Sequence, residues 1–153
     1  MVPPGTYEAR LTAGDWTATQ TFEVVMDPRV SAEGITADVV ERQAAFALEV
    51  RDTLSNARLA AHKLREARTE LEGAETEQAQ ALDEALAIIE AEFIDEPYRY
   101  SPIMLLGQLQ YLYGNLDRAD QEPGLDAIDR HEELAEALDG LVEELERLLS
   151  TMR

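Results

Sequence analysis

The chain has 153 residues, 45% hydrophobic and 29% charged, with 32 acidic against 13 basic side chains and a formal net charge of -19. A chain of this size suits one domain that buries roughly two-thirds of its unfolded surface, and a field of this sign repels phosphate backbones and anionic headgroups, which excludes nucleic acid as a partner. No apolar run approaches the roughly 20 residues of a membrane span, so direct membrane insertion is not expected, and the absence of cysteine excludes disulfides and thiolate-held metals.

Lys63 is the one lysine; the other basic residues are arginines. Such a composition suits a salt-rich medium, where salt screens the carboxylates, and it equally suits a GC-rich genome with ordinary acidic helices. The opening "MVPPGTY" has neither the basic nor the apolar segment of a signal peptide.

From Pro3 to Arg29 the chain reads as a β-hairpin. Tyr7, Ala9 and Leu11 alternate with Glu8, Arg10 and Thr12, the period of a half-buried strand. Trp16, Ala18, Gln20 and Phe22 keep one register on the return, and "AGD" (Ala13 to Asp15) supplies a glycine for positive φ at the turn. Asp27-Pro28 ends the pairing, because proline has no N–H to give. "RVSAEG" then reads as a connector.

Everything after it reads as helix. Thr36 is a suitable N-cap for a helix to about Leu71, on which Ala47, Val50, Leu54, Ala57, Ala61 and Leu64 recur at spacings of three and four. Gly73 is the natural stop. A second helix over about Glu75 to Ile94 carries Ala79, Leu82, Leu86, Ile89 and Phe93 on one stripe, and Pro97 breaks it. Ser101-Pro102 starts a third with Leu105, Leu109, Leu112, Leu116 and Ala119 as its seam. The last begins near Asp126, with Leu134, Leu138, Leu141, Leu145, Leu148 and Met152 inward and Glu132, Glu133, Glu136, Glu143, Glu144 and Glu146 between them. Short loops favour antiparallel neighbours. The expected fold is therefore mainly α: an antiparallel up-and-down four-helix bundle over residues 31–153, preceded by a hairpin domain over residues 1–30.

No catalytic or metal motif is complete, and no cofactor is expected. His131 opens "HEELA", but the second histidine of a helical zinc-protease motif is replaced by Ala135. A di-iron bundle needs glutamate three residues before each histidine, whereas Ile128 precedes His131 and Leu59 precedes His62. No serine sits in a G-x-S-x-G elbow. The remaining candidate is an interaction surface: Tyr98, Tyr100, Tyr111 and Tyr113 either seal the end of the bundle or line a groove that stacks on sugar or grips a peptide. At the other end of the chain Tyr7, Leu11, Trp16 and Phe22 need cover, because a two-stranded hairpin alone is marginal in water.

"PPGTYEARLTAGDWTATQTFEVVMDPRV" resembles the end of the immunoglobulin-like module that follows the β-propeller in bacterial BNR-repeat glycosyl hydrolases and sortilin-like proteins. The resemblance rests on Pro4, Gly5, Tyr7, Ala9, Leu11, Phe22, Val24 and Asp27-Pro28-Arg29. It continues through Gln43, Arg51-Asp52 and Leu64-Arg65 and through "SPIMLLGQLQYLYGNLDRADQEPG". It implies a non-catalytic C-terminal domain of a larger secreted or periplasmic parent, whose glycosidase or ligand-binding chemistry lies in a propeller outside this sequence. It implies also that the hairpin packs on upstream β-domains of that parent, or self-associates through the hairpin or the helix seams. In immunoglobulin-like sandwiches a tyrosine hydrogen-bonds back to the preceding corner, and "PGTY" looks like that corner.

Overall fold

The computed structural model describes residues 2–94, 103–116 and 118–152. The protein is mainly helical with an N-terminal antiparallel two-strand hairpin. It forms two compact units, one of Met1–Leu48 with Leu116–Pro123 and one of Glu49–Asn115 with Gly124–Arg153.

In the first unit, strands β1 (Gly5–Ala13) and β2 (Trp16–Val24) pair over their full length, from Gly5 opposite Val24 to Ala13 opposite Trp16. The turn is Gly14-Asp15 alone, tighter than the expected three residues. Gly14 carries φ 59 at the first central position, as a II′ turn demands, and no non-glycine residue among those described has positive φ. After β2, where the sequence predicts a connector, comes a short helix, α1 (Pro28–Ala32). Asp27 does more than end the strand: its carboxylate caps α1 by accepting from the Arg29 N–H at 2.8 Å, with Pro28 in the first turn. Helix α2 (Ala37–Leu71) starts behind Thr36, whose hydroxyl lies 3.4 Å from the Val39 N–H.

Two neighbouring side chains of α2 tie it to the segment 116–123 of the first unit. Gln43, on α2, is 1% exposed, the one buried polar side chain among the described residues. Its Nε2 donates to the carbonyls of Leu116 (2.6 Å) and Ala119 (2.7 Å), and its Oε1 accepts from the Gln121 N–H (3.0 Å). Beside it Arg42 holds the Glu122 carboxylate with two bonds, at 2.7 and 2.6 Å.

The second unit holds the rest of α2, then α3 (Glu77–Phe93), all but the last residue of α4 (Leu105–Leu116) and α5 (Leu125–Leu149), followed by a 3-10 turn over Ser150–Met152. Its core is most of the predicted seams: Val50, Leu54, Ala57, Ala61 and Leu64 of α2, Leu86, Ile89 and Phe93 of α3, Leu105, Leu109 and Leu112 of α4, and Leu134, Leu138, Leu145 and Leu148 of α5 are buried, whereas Ala79, Leu82 and Leu141 are half-buried. Gly73 (φ 82) terminates α2 as read, and Thr76 caps α3 by accepting from the Ala79 N–H. Helix α4 stops at Leu116, so Ala119 leaves the seam and lies exposed.

The helix directions differ from the alternating order expected. Arg68 near the end of α2 meets Asp83 and Glu90 of α3, which turns back at Gly73 and runs against α2. Helix α5 runs with α2: Thr53 bonds His131, and ten residues further along α2, Lys63 faces Glu146, fifteen further along α5. Helix α4 runs against α5, since Gln108 meets Arg130 while Asn115, nearer the end of α4, shares a cleft with Asp126 and Ala127 at the start of α5. The second unit is thus up, down, down, up. Short loops force reversal, but the α3–α4 connection is residues 94–104, long enough not to.

Candidate functional site

The hairpin register divides its side chains by chemistry. Tyr7, Ala9, Leu11 and Ala13 face the same side as Trp16, Ala18, Phe22 and Val24, with Gln20 the sole polar member. The other side carries Thr6, Glu8, Arg10, Thr12, Thr17, Thr19, Thr21 and Glu23. Tyr7 and Phe22 are direct cross-strand partners and stack at 6.0 Å between ring centroids. Yet the apolar side is open: Leu11 is 63% exposed, Trp16 57% and Phe22 47%, and only Tyr7 and Val24 are half-buried. Tyr7 Oη donates to the Pro3 carbonyl at 2.7 Å, tying the entry of β1 to the preceding prolines.

The four tyrosines do not form one described cluster. Tyr98 and Tyr100 lie outside the described residues. Tyr111 and Tyr113 both sit on α4 and are exposed, 68% and 40%, but two residues along a helix turn the side chain by roughly 200°, to the opposite side. Tyr111 alone joins a cleft of about 460 Å³ between α4 and α5, with Ile103, Gln108, Asn115, Asp126 and Arg130. Three polar side chains of the cleft are engaged: Arg130 bonds Gln108 Oε1 and the Glu133 carboxylate, Gln108 Nε2 bonds the Ile103 carbonyl, and Asn115 Nδ2 bonds the Tyr111 carbonyl at 2.8 Å.

A larger open cleft, about 780 Å³, lies where α2 turns into α3. Arg68 dominates it. Its guanidinium bonds Asp83 at 2.8 Å and also Glu90, and Arg65 approaches Glu90 at 3.6 Å. The Arg68 hydrogen bonds hold the Asp83 carboxyl below the usual carboxylate range, and the two carboxylates raise the guanidinium in turn. The Arg68 guanidinium is thus spent on pinning α3 to α2. His131 is likewise structural in its setting, half-buried, with one ring nitrogen 2.8 Å from the Thr53 hydroxyl.

Sequence reading gives no sign of Gln43's clamp, of Arg42–Glu122 or of Arg68–Asp83–Glu90, because pairs 15 to 80 residues apart leave no periodic trace. Among the described residues no group of three His, Asp or Glu side chains is placed to hold a metal ion, and no helix is long and apolar enough to cross a membrane. Comparison with family models, with curated proteins and with solved structures gives no match for this chain.

Proposed function

We propose that this chain is a non-catalytic structural and interaction domain, the C-terminal part of a larger BNR-repeat, glycosyl-hydrolase-like protein, with the hairpin its contact element. One observation carries the reading: a hairpin of two nine-residue strands, whose one side is apolar but for Gln20, keeps Leu11, Trp16 and Phe22 in water. Each such side chain gains about 1.5 to 3 kcal/mol when fully buried, so the face is built for a cover. The Tyr7–Pro3 bond favours the immunoglobulin-like origin of the hairpin, since the corner tyrosine of those sandwiches bonds backbone a few residues upstream. On this reading the covering strands lie upstream in the gene, and any glycosidase chemistry lies with them.

The test is the reading frame upstream of Met1 and the activity of its product. A β-rich upstream region, with chromogenic glycosides turned over by the longer product and not by this chain, is the expected result. Turnover by this chain alone, or an upstream stop codon, would sink the proposal. A second reading rests on the Tyr111 cleft, where an exposed ring beside Gln108, Asn115 and Arg130 has the make-up of a sugar- or peptide-binding groove. Calorimetry with neutral oligosaccharides and with peptides on wild type and Tyr111→Ala decides it: heat with the former and none with the latter supports it.

A further inference from the structure

The hairpin has two open edges as well as an open face. Among the described residues the sheet holds β1 and β2 only. A two-residue turn makes its flanking pair, Ala13 and Trp16, a hydrogen-bonded pair, and bonded and non-bonded pairs alternate from there. The backbone groups of Thr12, Arg10, Glu8 and Thr6 therefore point away from β2, along the free edge of β1. On β2 the corresponding residues are Thr17, Thr19, Thr21 and Glu23.

We infer that β1 pairs with β1 of a second copy of this chain, antiparallel about a two-fold axis at Ala9. The strand sequence "GTYEARLTA" is self-complementary in that one register. Gly5 meets Ala13 of the other copy, Thr6 meets Thr12, Tyr7 meets Leu11, Ala9 meets Ala9 and Glu8 meets Arg10. All nine residues pair, and the outward backbone groups of Glu8 and Arg10 meet one another across the axis.

Charge selects the register. Slipping by two residues one way sets Glu8 against Glu8, and the other way sets Arg10 against Arg10; opposite charges across a strand pair stabilise and like charges destabilise. A slip by one would put the apolar side of one copy against the polar side of the other. In the single chain Glu8 and Arg10 face each other along the strand at 3.3 Å, both more than half exposed, so they are free to exchange partners. The β2 edge offers no such pair, since Glu23 is its one charged outward residue. Pairing β1 with β2 would be head-to-tail and would not close, whereas β1 with β1 closes as a dimer.

The product is a four-stranded sheet, β2-β1-β1-β2, with Tyr7 of each copy beside Leu11 of the other on the apolar side. Three or more strands with a hydrophobic face are what a sheet needs for independent stability. One strand edge buries less than the roughly 800 Å² per partner of a standard interface, so the dimer is weak and depends on concentration.

The inference rests on the hairpin being the contact element, and the test separates the two. Sedimentation of the full chain from micromolar to millimolar concentration should show a monomer–dimer equilibrium. Glu8→Arg and Arg10→Glu singly place like charges at both cross-axis positions and should each weaken the dimer by about tenfold or more. The double swap should restore it, and an equimolar mixture of the two single variants should form a heterodimer tighter than the homodimer of either. Far-ultraviolet circular dichroism checks that helix content is unchanged in each. A monomer at every concentration, or a dimer indifferent to the swaps, overturns the β1 pairing and leaves the domain's proposed role standing.

Discussion

Two side chains show what single residues contribute here. Gln43 replaces three backbone partners with one amide, and a buried donor or acceptor left unpaired costs about 1 to 3 kcal/mol. Gln43→Leu keeps the volume and abandons the carbonyls of Leu116 and Ala119 and the N–H of Gln121. It should lower unfolding stability by about 2 to 4 kcal/mol, read by urea denaturation, and speed proteolysis between Leu116 and Pro123. Unchanged stability would mean that water replaces the amide. Asp27 gives the pH counterpart. The Arg29 side-chain hydrogen bonds, then the Arg29 N–H it caps, hold its carboxyl at about 2. A depressed carboxylate stabilises the fold fully above its unfolded pKa of about 4, and that contribution is lost as pH falls through about 2. NMR titration should find this midpoint in the wild type and a higher one in Arg29→Ala.

At the scale of elements, the same pairing physics decides how helices join. Arg68 is 33% exposed and its partners Asp83 and Glu90 39% and 25%, so the cluster is partly screened. Arg68→Met should cost only about 1 kcal/mol, and the difference from wild type should shrink in high salt. Gly73→Ala, at φ 82, should cost a similar amount at any salt concentration, because its strain is steric. These contrasts also explain what the sequence disclosed. Seams such as Val50, Leu54, Ala57, Ala61 and Leu64 were legible because burial imposes a 3.6-residue period, and the hairpin was legible because its faces alternate. Helix α1 was not, since five residues show no period and the Asp27-Pro28 signal reads equally as a strand end. The direction of α4 was not, because a connection of this length does not force the reversal that a short loop does. Nor was the set of ion pairs, since each arginine has many acids to choose among when carboxylates number 32. Tyr111 and Tyr113 look clustered in the sequence and separate in the fold because neighbours along a helix are three and four apart, not two.

For the whole molecule the governing quantity is the net charge of -19. Much of it is arranged against itself. On the exposed face of α5, Glu132, Glu136, Asp139, Glu143 and Glu146 follow one another at spacings of three and four, where like charges destabilise a helix by about 0.2 to 0.5 kcal/mol per pair. The basic side chains answer only part of this: Arg130 bonds Glu133, Arg147 bonds Glu144, and Lys63 reaches Glu146 at 4.0 Å. Salt acts oppositely on the two populations, weakening the repulsion and the attractive pairs alike, and the repulsive pairs are the more numerous. Since the screening length falls from about 10 Å at 0.1 M to about 3 Å at 1 M, the melting temperature should rise by several degrees over that range, equally with sodium and potassium chloride. The rise should persist in Arg68→Met and exceed the wild-type value there, because that variant has lost an attraction and gained no relief. A melting temperature that falls with salt would mean that the pairs, not the surplus carboxylates, govern stability. The same screening should leave the β1–β1 dimer weaker through Glu8 and Arg10 but less opposed by the repulsion between two chains of like charge, so its salt dependence should be shallower than that of the Arg68 cluster.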